Sequence, residues 1–194
     1  MGGRGFSLSI PQVAPKGFVV IDTETTGGKD DSRVIELGMA FLSPRGTLQK
    51  TFTTLLYGDG TSGEWYVKRV HRIRDSDLIG APRFKQIAPD FLESIEGRVL
   101  FAHNASFDLR RINHELSLVR RRQIQNMACT IELGKYLGHG RLSLEKAIDK
   151  FDLFRQISHH ALHDALATSQ LLRHYISEDK QGVQEYLLGK GFEI

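Results

Sequence analysis

The sequence predicts an α/β fold, a mixed five-stranded sheet covered by helices. Three observations lead there. Three strand-like segments follow one another early in the chain, and the later segments alternate between strand and helix periodicity. The length of 194 residues, 40% of them hydrophobic, is enough for one core and predicts a single domain.

The elements can be justified in order. FVVI (18–21) is β-branched and aromatic, as in a core strand. TGGKDDSR then reads as a loop. RVIELGMAFLS (33–43) and LQKTFTTLLY (48–57) flank the turn signal Pro44-Arg45-Gly46 and predict a hairpin. GDGTSGEW (58–65) reads as a glycine-rich loop. Phe84, Ile87, Phe91, Leu92 and Ile95 recur at helical spacing and predict a helix ending at Gly97. RVLFAHN (98–104) is a short apolar strand, and Phe107, Ile112 and Leu116 continue as a helix. QNMACT (125–130) predicts a short strand running into IELGKYL. Ser143 is the expected N-cap of LEKAIDKF, whose inner face carries Leu144, Ala147, Ile148 and Phe151. Leu162, Leu166, Ser169, Leu172 and Ile176 outline a longer helix. Residues 1–15 are expected to be a flexible arm, 16–178 the domain, and 179–194 a short extension. No repeat or low-complexity segment interrupts this order.

Charge and cysteine content narrow the function classes. The single cysteine, Cys129, allows no internal disulfide. The N-terminal apolar stretch is too short for a secretory signal, and nothing later approaches a membrane span, so a cytoplasmic protein with no membrane partner is expected. Net charge is only +3, but Lys68, Arg69, His71, Arg72 and Arg74 form one basic cluster, Arg110 and Arg111 a second, and Arg120 to Arg122 a third. Such clusters are ordinarily solvated faces; they permit a nucleic-acid partner without demonstrating one.

The acids carry more information. In FVVIDTETTG, Asp22 and Glu24 follow the apolar run with one residue between them. Residues i and i+2 of a strand share a face, so two like charges are aimed together from the end of a buried element. Asp108 follows the strand of FAHNASFDLRR, and Asp164 sits among Ala and Leu in HHALHDALATSQLL. Any one of these acids would ordinarily be a helix cap or a solvated side chain. Strand ends and helix starts converge on one crevice in such a sheet, however, and several carboxylates there are stable only with a cation between them. An all-oxygen donor set without cysteine favours Mg²⁺ or Mn²⁺ over structural zinc. Two such ions sharing a carboxylate suit in-line attack on a phosphodiester.

DTETTG (22–27), HNASFD (103–108) and HHALHD (159–164) together resemble, in order and spacing, the three sequence blocks of the DnaQ-like exonucleases of the DEDDh branch. The similarity runs from about residue 17 to 177. VHRIRDSDLIGAPRF (70–84) and ACTIELGKYLGHGRLSLEKAIDKFDL (128–153) resemble the supporting segments. The resemblance implies a ribonuclease H-like fold and release of nucleoside 5′-monophosphates from a 3′ end. It places Asp22, Glu24, Asp108 and Asp164 at the four acidic positions that hold two metal ions. For the general base, the family register (His, four residues, Asp) selects His159. Helical geometry alone would select His160, four residues before Asp164; the register is preferred, because it puts an imidazole on the loop before the helix. Thr25, His71, Asn104 and Phe107 are candidates for substrate contact, and His103 for support of the strand end.

The expected substrate is the single-stranded, frayed or mismatched 3′ end of DNA, with RNA as the alternative. A catalytically silent nucleic-acid-binding module is disfavoured, since all five positions are filled. Trp65 and Tyr66 beside the first basic cluster are candidates for holding a strand or for packing the glycine-rich loop. The short extension predicts activity without a DNA polymerase, with self-association through the tail as an expectation. QEYLL (184–188) faintly resembles peptides that dock on sliding clamps, while Val183, Tyr186 and Leu187 also make a helix face for core packing, which is preferred.

Overall fold

The computed structural model describes residues 16–29 and 31–193. The expected arm, 1–15, lies outside the described residues. Five strands form one sheet in the order β3-β2-β1-β4-β5. β1 (Phe18–Thr25) pairs antiparallel with β2 (Val34–Leu42), and β2 with β3 (Leu48–Leu55). β1 pairs in parallel with β4 (Val99–Ala102), and β4 with the two-residue β5 (Ala128–Cys129). The predicted meander and the parallel half therefore meet at β1.

Alternation along β1 sorts the core into two layers. Val19 and Ile21 face α2 (Phe84–Ile95) and α3 (Ala105–Leu118), packing with Phe91, Ile112 and Leu116. Phe18 and Val20 face α6 (Ala161–Glu178) and α7 (Lys180–Gly189), with Leu172, Tyr175 and Leu187. Complete burial of such a side chain is worth about 1.5–3 kcal/mol, and every residue of β2 is buried, which fixes its register against both layers. α4 (Thr130–Tyr136) and α5 (Leu144–Phe151) complete the second layer, and Ser143 caps α5 as expected, its hydroxyl accepting from the Lys146 amide.

Two expectations change, and one is met in the tail. The glycine-rich loop expected over 58–65 gives way at Trp65 to α1 (Trp65–His71), which buries only His71 among its residues and so lacks an apolar stripe to announce it. Arg111 is not part of an open basic face. It is fully buried, and its guanidinium donates to the carbonyls of Gly28 and Lys29, holding the turn after β1. In the tail, α7 turns Val183, Tyr186 and Leu187 into the core, and the Tyr186 hydroxyl donates to the Cys129 carbonyl at 3.3 Å. The helix face preferred for this segment is thus present, and its aromatic residue is not offered to a clamp.

Candidate active site

The sequence places Asp22 and Glu24 where β1 leaves the apolar core, on the face shared with Phe18 and Val20. That face looks toward the start of α6, which brings Asp164. Thr23 points to the other layer, and its hydroxyl donates to Asp108 Oδ1 on α3 at 2.8 Å. One donor atom each of Glu24, His159 and Asp164 lies within 4.8 Å of the other two. Asp22 joins them electrostatically. Burial raises its carboxyl well above the usual range, and Asp108, Asp164, Glu24 and Glu36 raise it further. The same causes push Glu24 up to about 8, burial first and then Asp164, Glu36 and Asp108. Burial lifts Asp108 to about 7 against the opposing hydrogen bond from Thr23. Asp164 is also raised by burial, less freely because Arg155 and the His159 amide oppose it.

The histidine loop is held to this cluster by its backbone. His159 is exposed with φ +56°, and its N–H donates to Asp164 Oδ2 at 3.1 Å. Arg155 donates to the other oxygen, Oδ1, at 3.2 Å and to Glu145 at 2.9 Å. His160 lies elsewhere: its Nδ1 is 3.2 Å from Glu36 Oε1 without hydrogen-bond alignment, and its ring stacks on His163 at 4.3 Å.

The remaining candidates divide. His71 is buried with both ring nitrogens engaged, Nδ1 accepting from the Ile73 amide and Nε2 donating to the Ser62 carbonyl. Burial lowers its pKa, with Lys68 and His159 lowering it further, which favours the neutral ring. Thr25 is buried and its hydroxyl donates to the Gly27 carbonyl. Asn104 is exposed at φ +87° at the start of α3, and Phe107 lies half-buried under the Arg111 guanidinium. His103 contacts Thr130 Oγ1 at 2.9 Å, consistent with the structural role expected of it. A cavity of about 390 Å³ adjoins the end of β1, lined by Thr26, Gly27, Thr61, Gly63 and Tyr66. Trp65 is 70% exposed on α1.

Sequence reasoning missed Glu36, Arg155 and Thr23. Glu36 did leave a trace, as the one charged residue in the interior of an apolar strand; Arg155 and Thr23 left none.

A family model described as an exonuclease, RNase_T, matches residues 19–172. The chain belongs to this exonuclease family. Among the relatives of this exonuclease domain is the DNA polymerase III subunit epsilon of Treponema pallidum (strain Nichols), 34% identical over 162 residues, covering 79% of this chain and 74% of the relative. The subunit of the same name from Aquifex aeolicus (strain VF5) is 29% identical over 182 residues, covering 91% and 89%. The fold is shared with exonuclease X in complex with 5′ overhanging duplex DNA (23% identity, TM-score 0.68, 84% and 93% covered). It is shared equally with the nuclease domain of 3′hExo, a DEDDh member bound to rAMP (15% identity, TM-score 0.68, 83% and 92% covered). Among the described residues no helix is long and apolar enough to cross a membrane.

The donor set of the exonuclease suits a hard divalent cation: oxygen-rich, crowded and costly to leave uncompensated. Arg155 sets a positive charge against Asp164 at 3.2 Å. A stability prediction follows from the raised carboxyls. A carboxyl whose folded pKa lies above its unfolded value favours folding while protonated, and that contribution is lost as pH rises through the folded value. Metal-free protein is therefore expected to melt at progressively lower temperature from about pH 4 to pH 8, the interval set by Asp108 at about 7 and Glu24 at about 8. Mg²⁺ should restore stability by linkage. Asp108→Asn, which keeps an acceptor for Thr23, should raise the metal-free melting temperature at pH 8, by about 2–4 °C for each kcal/mol of repulsion relieved. Calorimetry in chelator checks this; a mutant melting below the metal-free wild type would show that the acids do not repel.

Proposed function

We propose that this DnaQ-like exonuclease is a metal-dependent 3′–5′ enzyme that shortens single-stranded or mismatched DNA ends and releases nucleoside 5′-monophosphates. What supports this is the grouping of Glu24, His159 and Asp164 within 4.8 Å at the end of β1, with Asp108 and Asp164 both close enough to raise the Asp22 carboxyl. The relatives named as polymerase III epsilon subunits support DNA over RNA and a polymerase as partner.

Asp22, Glu24, Asp108 and Asp164 would hold the ions, two Mg²⁺ or Mn²⁺ per site. Held there, they would supply charge to offset that of the phosphodiester and of its transition state. His159 accepts a proton from the attacking water. The new O–P bond forms as the P–O3′ bond breaks, and the departing 3′ oxygen takes a proton from solvent to leave a 3′-hydroxyl on the shortened strand. Asp164 holds the histidine loop through the His159 amide and so orients the base. Thr25 and the buried His71 shape the walls of the site, Asn104 and Phe107 contact the terminal nucleotide, and the cavity beside Tyr66 accommodates part of it. Catalysis resides in this chain, in the cytoplasm, and polymerase association is additional to it.

The test uses 3′-labelled single-stranded DNA, single-stranded RNA and a mismatched primer, each with Mg²⁺, Mn²⁺ or chelator. Mononucleotide release should be fastest from single-stranded DNA and faster from the mismatched than from the matched primer. Faster hydrolysis of RNA would assign the enzyme to RNA trimming instead.

A further inference from the structure

We infer that Glu36 is a positioning residue for catalysis, clamping the start of α6 so that His159 and Asp164 stay over the metal site. The proposal rests on the exonuclease reading above and concerns how the catalytic loop is held.

Glu36 is 5% exposed, in the middle of the all-buried β2, and pairs directly across from Glu24. A carboxylate there is strongly disfavoured unless it is compensated. Its compensation comes from the catalytic loop: Oε2 accepts from the Ala161 amide at 3.0 Å, and Oε1 lies 3.2 Å from His160 Nδ1. Ala161 is the first residue of α6, where amides have no partner within the helix and the dipole favours an anion. Glu36 therefore serves as a long-range cap, supplied by the sheet and not by the residue before the helix; the N-cap residue His160 makes no side-chain capping bond.

Two residues further along β2, Gly38 completes the seat. A Cβ at Gly38 would stand 2.2 Å from the Ala161 carbonyl carbon and 2.3 Å from the Leu162 nitrogen. No side chain larger than hydrogen fits there while the helix keeps its place. Gly38 pairs with Asp22 as Glu36 pairs with Glu24, so the two seat positions on β2 lie directly beside the two acids of β1. The left-handed His159 leads into this seat, and its amide reaches Asp164 within the same turn. Displacement of about 1 Å in such an assembly can cost about 100-fold in rate.

The test compares Glu36→Gln, which keeps an acceptor at the same reach, with Glu36→Asp, which keeps the charge and withdraws the acceptor by one methylene. Exchange of the Ala161 amide, followed by NMR, should remain protected in Glu36→Gln and accelerate at least about tenfold in Glu36→Asp. At a temperature where both are folded, kcat should fall about 100-fold in Glu36→Asp and less than about tenfold in Glu36→Gln, with KM for DNA within about threefold in both. Loss of packing alone would lower the melting temperature without this split. The opposite ranking, or an Ala161 amide equally protected in both variants, would overturn the clamp. Amide exchange needs no turnover, so a wild type inactive on every substrate would refute the exonuclease reading and leave the clamp testable.

Discussion

Asp22→Ala or Asp164→Ala is expected to lower kcat by at least about a thousandfold, the loss that follows when a group stabilising transition-state charge is displaced. The two substitutions reach this by different routes. Burial raises the Asp22 carboxyl and four neighbouring carboxylates raise it further, so its removal relieves repulsion from Asp108, Asp164, Glu24 and Glu36 as it deletes a proposed ligand. Asp22→Ala should accordingly be inactive yet no less stable than metal-free wild type. Asp164 also accepts from the His159 amide and from Arg155, so Asp164→Ala frees the histidine loop as well and should melt lower. Steady-state hydrolysis of 3′-labelled DNA in Mg²⁺, with a chelator control, checks both. Activity that persists in excess chelator would sink the two-metal scheme.

Much of this was legible in the sequence, because apolar periodicity reports burial directly. The hairpin expected over 33–43 and 48–57 is present over Val34–Leu42 and Leu48–Leu55. The acids were legible for the complementary reason: a carboxylate directly after a buried strand is an anomaly that needs a physical cause. What escaped depends on pairing across the fold. Glu36 becomes meaningful only when the register sets it beside Glu24 and α6 lands on Gly38. Arg111 looked like its exposed neighbour Arg110 until the turn at 28–29 folded onto it. α1 buries too little to show a stripe, and its glycine-rich approach hid it. Cations and short helices without apolar faces are thus the elements that local pattern fails to place.

His159→Ala is expected to lower the rate near neutral pH by about 100-fold or more, the range for loss of a general base, while Mg²⁺ still raises the melting temperature as in wild type. The two histidines that compete with it are occupied elsewhere. His160 stands against Glu36 and stacks on His163, and His163 lines a separate cavity with Leu42, Leu48, Phe154 and Arg173. His160→Ala leaves the Ala161 amide on Glu36 and should cost less than about tenfold; His163→Ala should cost no more. Metal affinity separates two roles for His159, since its ring nitrogen lies within 4.8 Å of donor atoms of both Glu24 and Asp164. A base that is not a ligand predicts an unchanged Mg²⁺ dependence of the melting temperature, together with loss of the acidic limb in the pH–rate profile. A weakened Mg²⁺ response in His159→Ala would make the imidazole a ligand. A dead His160→Ala beside an active His159→Ala would return the base to the position that helical geometry alone selects, one turn before Asp164.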